Sequence, residues 1–126
     1  MEAATTAAWT AAAAAVLTKE TTTPHGGARC LRVAYGGTNL PRATQAFGGV
    51  AGKVYRLTGW ARSDGVVGPR VYDSGSVTLW TGTASTSWQY FSVTYTAVGT
   101  SITLMALATG AGYVEFDDLS IVKVGG

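Results

Sequence analysis

The side chains able to do chemistry in this chain are few, and the most conspicuous are two adjacent aspartates. They stand in Tyr113-Val114-Glu115-Phe116-Asp117-Asp118-Leu119-Ser120-Ile121-Val122-Lys123-Val124, a strand-like stretch that holds three of the chain's seven acidic residues. Val114 and Phe116 occupy even positions, Leu119 and Ile121 odd ones, so the apolar parity flips at Asp117-Asp118. A one-residue shift of this kind is what a β-bulge introduces. A bulge re-aims side chains and can turn one aspartate towards a sandwich interior or its rim. A carboxylate there is costly unless a cation, an arginine or backbone N–H groups meet it.

The second candidate is Trp60. Across Lys53 to Arg62, Tyr55, Leu57, Gly59 and Ala61 share one face, and Arg56, Thr58, Trp60 and Arg62 share the other. An aromatic ring on a polar face is a candidate sugar platform. The ring stacks on the C–H face of a pyranose, while neighbouring polar side chains hydrogen-bond its hydroxyls. Arg32, Gln45, Arg56, Arg62, Arg70 and Tyr72 are expected to share this face, with Trp80 as a further member. Protein interfaces are also enriched in Trp, Tyr and Arg. A loop lying over the face would make Trp60 a packing residue instead. The residues alone leave these three readings open. Trp9, Phe47, Trp88 and Phe91 are assigned to the core or its edge, where large aromatics close the end of a sandwich.

Catalytic chemistry finds little support. His25 lies between Pro24 and Gly26 with Glu20 near in sequence, but no nucleophile or orienting acid completes a set. Asp64, Asp73 and Glu115 are the carboxylates from which a glycosidase pair would have to be drawn. The first two sit in Gly-bearing turns, where Asp is an ordinary turn former. No Gly-Lys-Ser/Thr follows a strand, so the glycines form no phosphate loop. The expectation is a protein with no catalytic residues.

The elements that must position these residues read as strands. Strands are expected near 14–20, 29–35, 53–62, 68–73, 76–81, 88–97, 101–108 and 113–124. Breakers separate them: Pro24-His25-Gly26-Gly27, Gly36-Gly37-Thr38-Asn39, Gly48-Gly49, Ser63-Asp64-Gly65, Asp73-Ser74-Gly75 and Gly110-Ala111-Gly112. The Ala-rich segment Ala7 to Leu17 reads as a loop leading into a strand, with a short helix as the alternative. Many short strands with regular turn signals describe an all-β antiparallel β-sandwich of jelly-roll type, as one domain over 1–126.

Composition narrows the function classes. The 126 residues suit one domain with a real core. Charged residues make up only 13%, yet there are four Trp, six Tyr and three Phe, a composition that folds rather than stays disordered. A net charge of +2 with no basic run argues against nucleic acid and anionic membrane surfaces. The single cysteine, Cys30, cannot staple the fold, and its apolar setting marks it as buried and inert. Met1-Glu2-Ala3-Ala4 has neither a basic nor a long apolar region, so no signal peptide is expected. The apolar run Ala11 to Leu17 is too short to span a bilayer.

In order along nearly the whole chain, the residues resemble the jelly-roll carbohydrate-binding modules, the group that includes families 4, 9 and 22. The resemblance rests on Glu2 and Trp9, on a His-Gly-Gly turn feeding Arg-x-Leu-Arg-Val (His25 to Val33), and on Gln45 and Phe47. It continues through Gly52 to Arg62 and Ser87 to Phe91, and closes on Phe-Asp-Asp-Leu (Phe116 to Leu119). Such modules normally carry another strand's worth of residues before the Glu, which is missing or trimmed in this sequence. The resemblance implies a structural calcium held by Glu2, Asp117 and Asp118, with carbonyls near Lys19 and Gly26; calcium takes six to eight oxygen ligands. It also implies glycan binding through the face carrying Trp60.

Modules of this kind are common in tailed-phage structural proteins, and the Ala/Thr/Gly-rich, low-charge style here is similar. The expected function is therefore non-catalytic: a module on a phage virion surface, in capsid decoration or a tail, that contacts glycans. Its expected partners are glycans or capsid and tail proteins, with self-association as a possibility. The alternatives are a glycan-targeting module of a larger secreted, extracellular glycoside hydrolase and a cement protein without sugar binding.

Overall fold

The computed structural model describes residues 9–21, 30–74, 77–108 and 110–125. Among them are ten strands and no helix: β1 (Thr10–Ala12), β2 (Val16–Glu20), β3 (Cys30–Ala34), β4 (Arg42–Ala46), β5 (Val54–Ser63), β6 (Pro69–Asp73), β7 (Val77–Thr81), β8 (Gln89–Thr96), β9 (Ser101–Ala106) and β10 (Tyr113–Gly125). They form two five-stranded sheets. Sheet I has the order β1-β4-β9-β6-β7 and sheet II the order β2-β3-β10-β5-β8. Every pairing is antiparallel. The expected all-β sandwich is thus observed.

Two strands were not anticipated. The segment expected as a loop or a short helix instead holds β1, then a turn closed by the Ala15 N–H on the Ala12 carbonyl at 3.2 Å. Ala13 and Ala14 both have φ of 54°, the left-handed pair that a two-residue turn of this hand requires. Asn and Gly usually signal such a turn; Ala does not. The second unforeseen strand is β4, whose Arg42-Ala43-Thr44-Gln45-Ala46 lacks large apolar residues. It is a strand because it pairs along its whole length with β9.

The core lies between the sheets. Leu31, Val33, Leu57, Ala61, Phe91, Val114 and Phe116 come from sheet II, and Ala43, Val71, Ile102, Leu104 and Ala106 from sheet I. The period-2 pattern of β5 is realised as expected, with Tyr55, Leu57, Gly59, Ala61 and Ser63 buried and facing inward. At Gly59 a Cβ would stand 2.4 Å from Leu119 Cδ2 and 2.9 Å from Phe91 Cζ, so only glycine fits.

The parity flip in β10 is a bulge. Asp117 lies opposite Trp60 while Ser120 lies opposite Thr58, three steps against two. Asp118 takes φ of 52°, and its N–H donates to Asp117 Oδ1 at 2.8 Å. Tyr113, Glu115 and Asp117 therefore share the outer side of sheet II with Arg62 and Trp60, while Ile121 pairs with inward-facing Leu57.

Candidate functional site

The residues expected on one face divide between two. Arg32, Arg56, Trp60 and Arg62 lie on the outer side of sheet II. Arg70 and Tyr72 lie on the outer side of sheet I, since Pro69, Val71 and Asp73 between and beside them are buried. Gln45 and Trp80 lie on neither outer side. Gln45 is in register with Ile102, on the interior side with Ala43. Trp80 pairs with Val71 and stacks on Phe91 across the sandwich, centroids 4.7 Å apart and planes 23° apart. Alternation within each strand was legible; which strands pair into which sheet was not.

Trp88 corrects the expectation in the other direction. It does not join the core: the Arg62 guanidinium lies over its ring, 4.5 Å from the centroid. Trp88 is two residues before Tyr90, which pairs with Trp60 and is 56% exposed. The Trp60 and Tyr90 rings meet at 5.1 Å, tilted by 59°. This outer side thus carries a row of aromatics along β5 and β8.

Beside that row is a cleft of about 250 Å³ lined by Arg32, Arg62, Ser63, Asp64, Thr86, Tyr113 and Glu115. At its base Glu115 is only 2% exposed. Its Oε1 accepts from Arg62 Nε at 2.7 Å, and its Oε2 accepts from Arg32 Nε at 3.0 Å and meets Arg32 NH2 at 2.9 Å. Arg32 NH2 also reaches Glu20 Oε1 at 3.2 Å, and the Arg32 guanidinium covers the Tyr113 ring at 3.9 Å. A carboxylate this buried is tolerated because two guanidinium groups replace the water it has lost. The register explains the cluster, since Thr18, Arg32, Glu115 and Arg62 lie side by side across four adjacent strands.

Asp64 forms the cleft's other wall. Its Oδ1 accepts from the Val66 and Val67 N–H groups at 2.9 and 3.2 Å, and its Oδ2 accepts from Tyr113 N–H at 3.2 Å. Burial pushes its carboxyl up, but these backbone N–H bonds and the Ser63 hydroxyl outweigh it and hold the group below the ordinary 3.8. The carboxylates considered for acid–base work are thus engaged otherwise. Glu115 is clamped by arginines and Asp64 ties a loop. Asp73, rather than standing in an open turn, is 1% exposed and accepts the Val98 N–H at 2.8 Å.

Of the expected calcium ligands, Asp117 is fully buried and Asp118 is exposed. Glu2 and Gly26 lie outside the described residues, as does His25. Among the described residues no group of three His, Cys, Asp or Glu side chains gathers as a metal site. Cys30 is buried in register with Glu20; burial first, then the charge of Glu115, pushes its thiol up to about 12. That supports the inert role expected of it.

No protein-family model matches the sequence, and no curated protein sequence matches it. Solved structures do. A family 22 xylan-binding domain of Paenibacillus barcinonensis Xyn10C superposes with a TM-score of 0.74 at 14% identity, covering 99% of this chain and 91% of that one. The fold is a carbohydrate-binding-module jelly roll. The C-terminal family 22 module of Clostridium thermocellum Xyn10B gives 0.73 at 18% identity, over 97% of this module and 89% of that chain. The enzymatically active domain of tailspike protein 4 from bacteriophage CBA120 gives 0.68 at 9% identity, with 96% of this module matched to 20% of that chain. Identities this low carry the fold and leave the ligand to be argued from the module's own side chains.

Proposed function

We propose that this protein is a non-catalytic glycan-binding module that acts through the outer side of sheet II. The observation that carries this reading is the cleft of Arg32, Arg62, Asp64, Tyr113 and Glu115 opening beside the aromatic row of Trp60, Tyr90 and Trp88. At about 250 Å³ the cleft is smaller than pockets that enclose drug-sized ligands, roughly 300–1,000 Å³. A glycan would lie across the face, with one sugar edge in the cleft and a ring on the indole. Amphipathic aromatic faces with fixed polar neighbours suit pyranoses, which present C–H faces and hydroxyl edges. The xylan-binding and family 22 neighbours support the reading at the level of fold, and agree with an extracellular setting beside a glycoside hydrolase.

The tailspike likeness favours a second setting, a phage virion surface in which the module decorates a capsid or tail. There its partners would be capsid or tail proteins, with or without a glycan, and copies could associate. One experiment separates the readings. The protein and its Trp60→Ala variant are titrated with a panel of polysaccharides and bacterial surface glycans, with sedimentation run alongside. Binding that weakens by about tenfold or more in the variant supports the glycan face. Absence of binding, or binding indifferent to Trp60→Ala, overturns the site, and self-association without sugar dependence favours the cement role.

We also propose a structural calcium with Glu2, Asp117 and Asp118 as its ligands, joined by carbonyls near Lys19 and Gly26. An ion held only by the native state raises its stability. Chelator should lower the melting temperature, and Asp117→Ala should show the lower value with or without chelator. A melting temperature indifferent to chelator, in protein shown free of tightly bound metal, would leave the aspartates a bulge role alone.

A further inference from the structure

Among the described residues four strands lie at sheet edges: β1 and β7 in sheet I, β2 and β8 in sheet II. Three of them are guarded. β1 is three residues long, β2 carries Lys19 and Glu20, and β7 is bulged where Val71 lies opposite Trp80 but Tyr72 opposite Thr78. Short length, charge and bulges are how proteins keep an edge from pairing with another chain. β8 has none of these. It reads Gln89-Tyr90-Phe91-Ser92-Val93-Thr94-Tyr95-Thr96, without a charge or a proline, and it keeps unbroken register with β5 throughout.

The free groups of β8 follow from its end. Ala97 N–H donates to the Lys53 carbonyl at 2.9 Å, and the Ala97 carbonyl accepts from Gly52 N–H at 2.8 Å. Beyond the other end of the ladder, Ser63 N–H donates to the Ser85 carbonyl at 2.8 Å. In an antiparallel pair this direction alternates residue by residue. The odd-numbered residues of β8 therefore bond to β5, and Tyr90, Ser92, Thr94 and Thr96 turn their N–H and C=O groups away from the sheet. All four are exposed.

We propose that β8 pairs antiparallel with β8 of a second copy, about a two-fold axis through Val93. That register sets Tyr90 opposite Thr96 and Ser92 opposite Thr94, in both directions, so every outward N–H and C=O of the strand is bonded. An axis through Ser92 or Thr94 leaves Thr96 or Tyr90 without a strand partner. The strand suits itself: it has no charge to repel its copy, and the facing pairs are Ser with Thr, Tyr with Thr, Val with Val and Phe91 with Tyr95, combinations that stabilise sheets. Val93 and Tyr95, only half-buried in one copy, are covered in the pair. Two-fold pairing of one patch with itself is also the commonest way in which identical chains associate. Sheet II of one copy thus runs on into sheet II of the other, with both outer sides facing the same way. This pairing needs no glycan.

The test is sedimentation velocity over a concentration series, without added sugar, on the parent and on Ser92→Lys/Thr94→Lys. Urea midpoints at the lowest concentration confirm the fold. The average mass of the parent should rise with concentration towards that of two chains. The double variant sets like charges opposite each other across the axis, and its dimerisation should weaken by about tenfold or more. Val93→Cys and Ser92→Cys, oxidised mildly, fix the register. Val93 faces its own copy in a non-hydrogen-bonded pair, about 4.5 Å between Cα atoms, within reach of a disulfide. Val93→Cys should therefore cross-link, and the more exposed Ser92→Cys, placed opposite Thr94, should lag far behind it; Cys30 is buried and takes no part. A parent that stays monomeric at every concentration overturns the proposal. So does a double variant that dimerises like the parent, or equal cross-linking of the two cysteine variants. A monomeric parent that still binds glycan leaves the reading of the Trp60 face standing and removes this inference alone.

Discussion

Each outer side of the sandwich carries a pair of arginines flanking its central strand, and the two pairs are treated differently; Arg56, further along β5, belongs to neither. On sheet II, Arg32 and Arg62 close on one buried acid, Glu115. On sheet I, Arg42 and Arg70 meet no acid among the described residues. The first pair is part of the fold's own electrostatics, because a buried carboxylate needs compensation wherever it sits. The second pair is charge that folding leaves unmatched. The contrast separates an arginine that holds a structure from one that is available to a ligand, a distinction invisible in a residue count.

The comparison breaks most easily at Glu115. Glu115→Gln should destabilise by about 2–3 kcal/mol, less than the roughly 3–5 kcal/mol of a fully buried pair because both arginines are partly exposed. Urea unfolding would measure it, and a loss near zero would mean that the cluster contributes nothing to folding. The opposite sign is expected on sheet I. Arg42→Met should leave stability unchanged or raise it by up to ~1 kcal/mol, since it removes a buried donor without a partner. A loss like that of Glu115→Gln would show that Arg42 serves the fold.

Tyr95→Phe sharpens the point from inside the sandwich. Its hydroxyl is buried without a partner, and burial, then the charge of Asp73, pushes its ionisation up to about 12. Replacement should be neutral or stabilising by under ~1 kcal/mol in the same unfolding assay. A clear loss would reveal a hydrogen bond that the geometry does not give it.

The smallest effect concerns Asp64. Its carboxyl is held below its ordinary 3.8 in the folded state, so its contribution is complete above that value and disappears as pH falls through the folded one. Between pH 4 and 2 the parent should therefore lose melting temperature more steeply than Asp64→Asn. Parallel curves would mean that the turn does not depend on the charge.

Much of the fold was legible because burial writes itself as alternation. Tyr55, Leu57, Gly59 and Ala61 against Arg56, Thr58, Trp60 and Arg62 gave β5 its faces, and the parity flip located the bulge. Ala13-Ala14 and Arg42-Ala43-Thr44-Gln45-Ala46 were opaque, since their turn and strand are imposed by the sheets rather than by their own preferences. The site was legible only by halves. Alternation tells which residues of one strand share a side, but nothing local says that β6 pairs with β9 and β5 with β10. Trp88 was misread because a large aromatic beside a strand usually packs inward. Here the cation of Arg62 supplies the ring with a partner outside the core.

The bulge at Asp117-Asp118 has a consequence for how this chain tolerates changes of length. It works as a reading frame written into a strand. Deleting Asp118 alone would remove the extra residue and restore plain alternation, with Leu119 opposite Gly59, Ser120 still opposite Thr58 and Ile121 still opposite Leu57. Deleting Ser120 while the bulge persists would instead turn the rest of the strand over, so that Ile121, now packed against the core, would face solvent and Val122 would be driven inward. A single deletion should therefore be borne at the bulge and not beyond it.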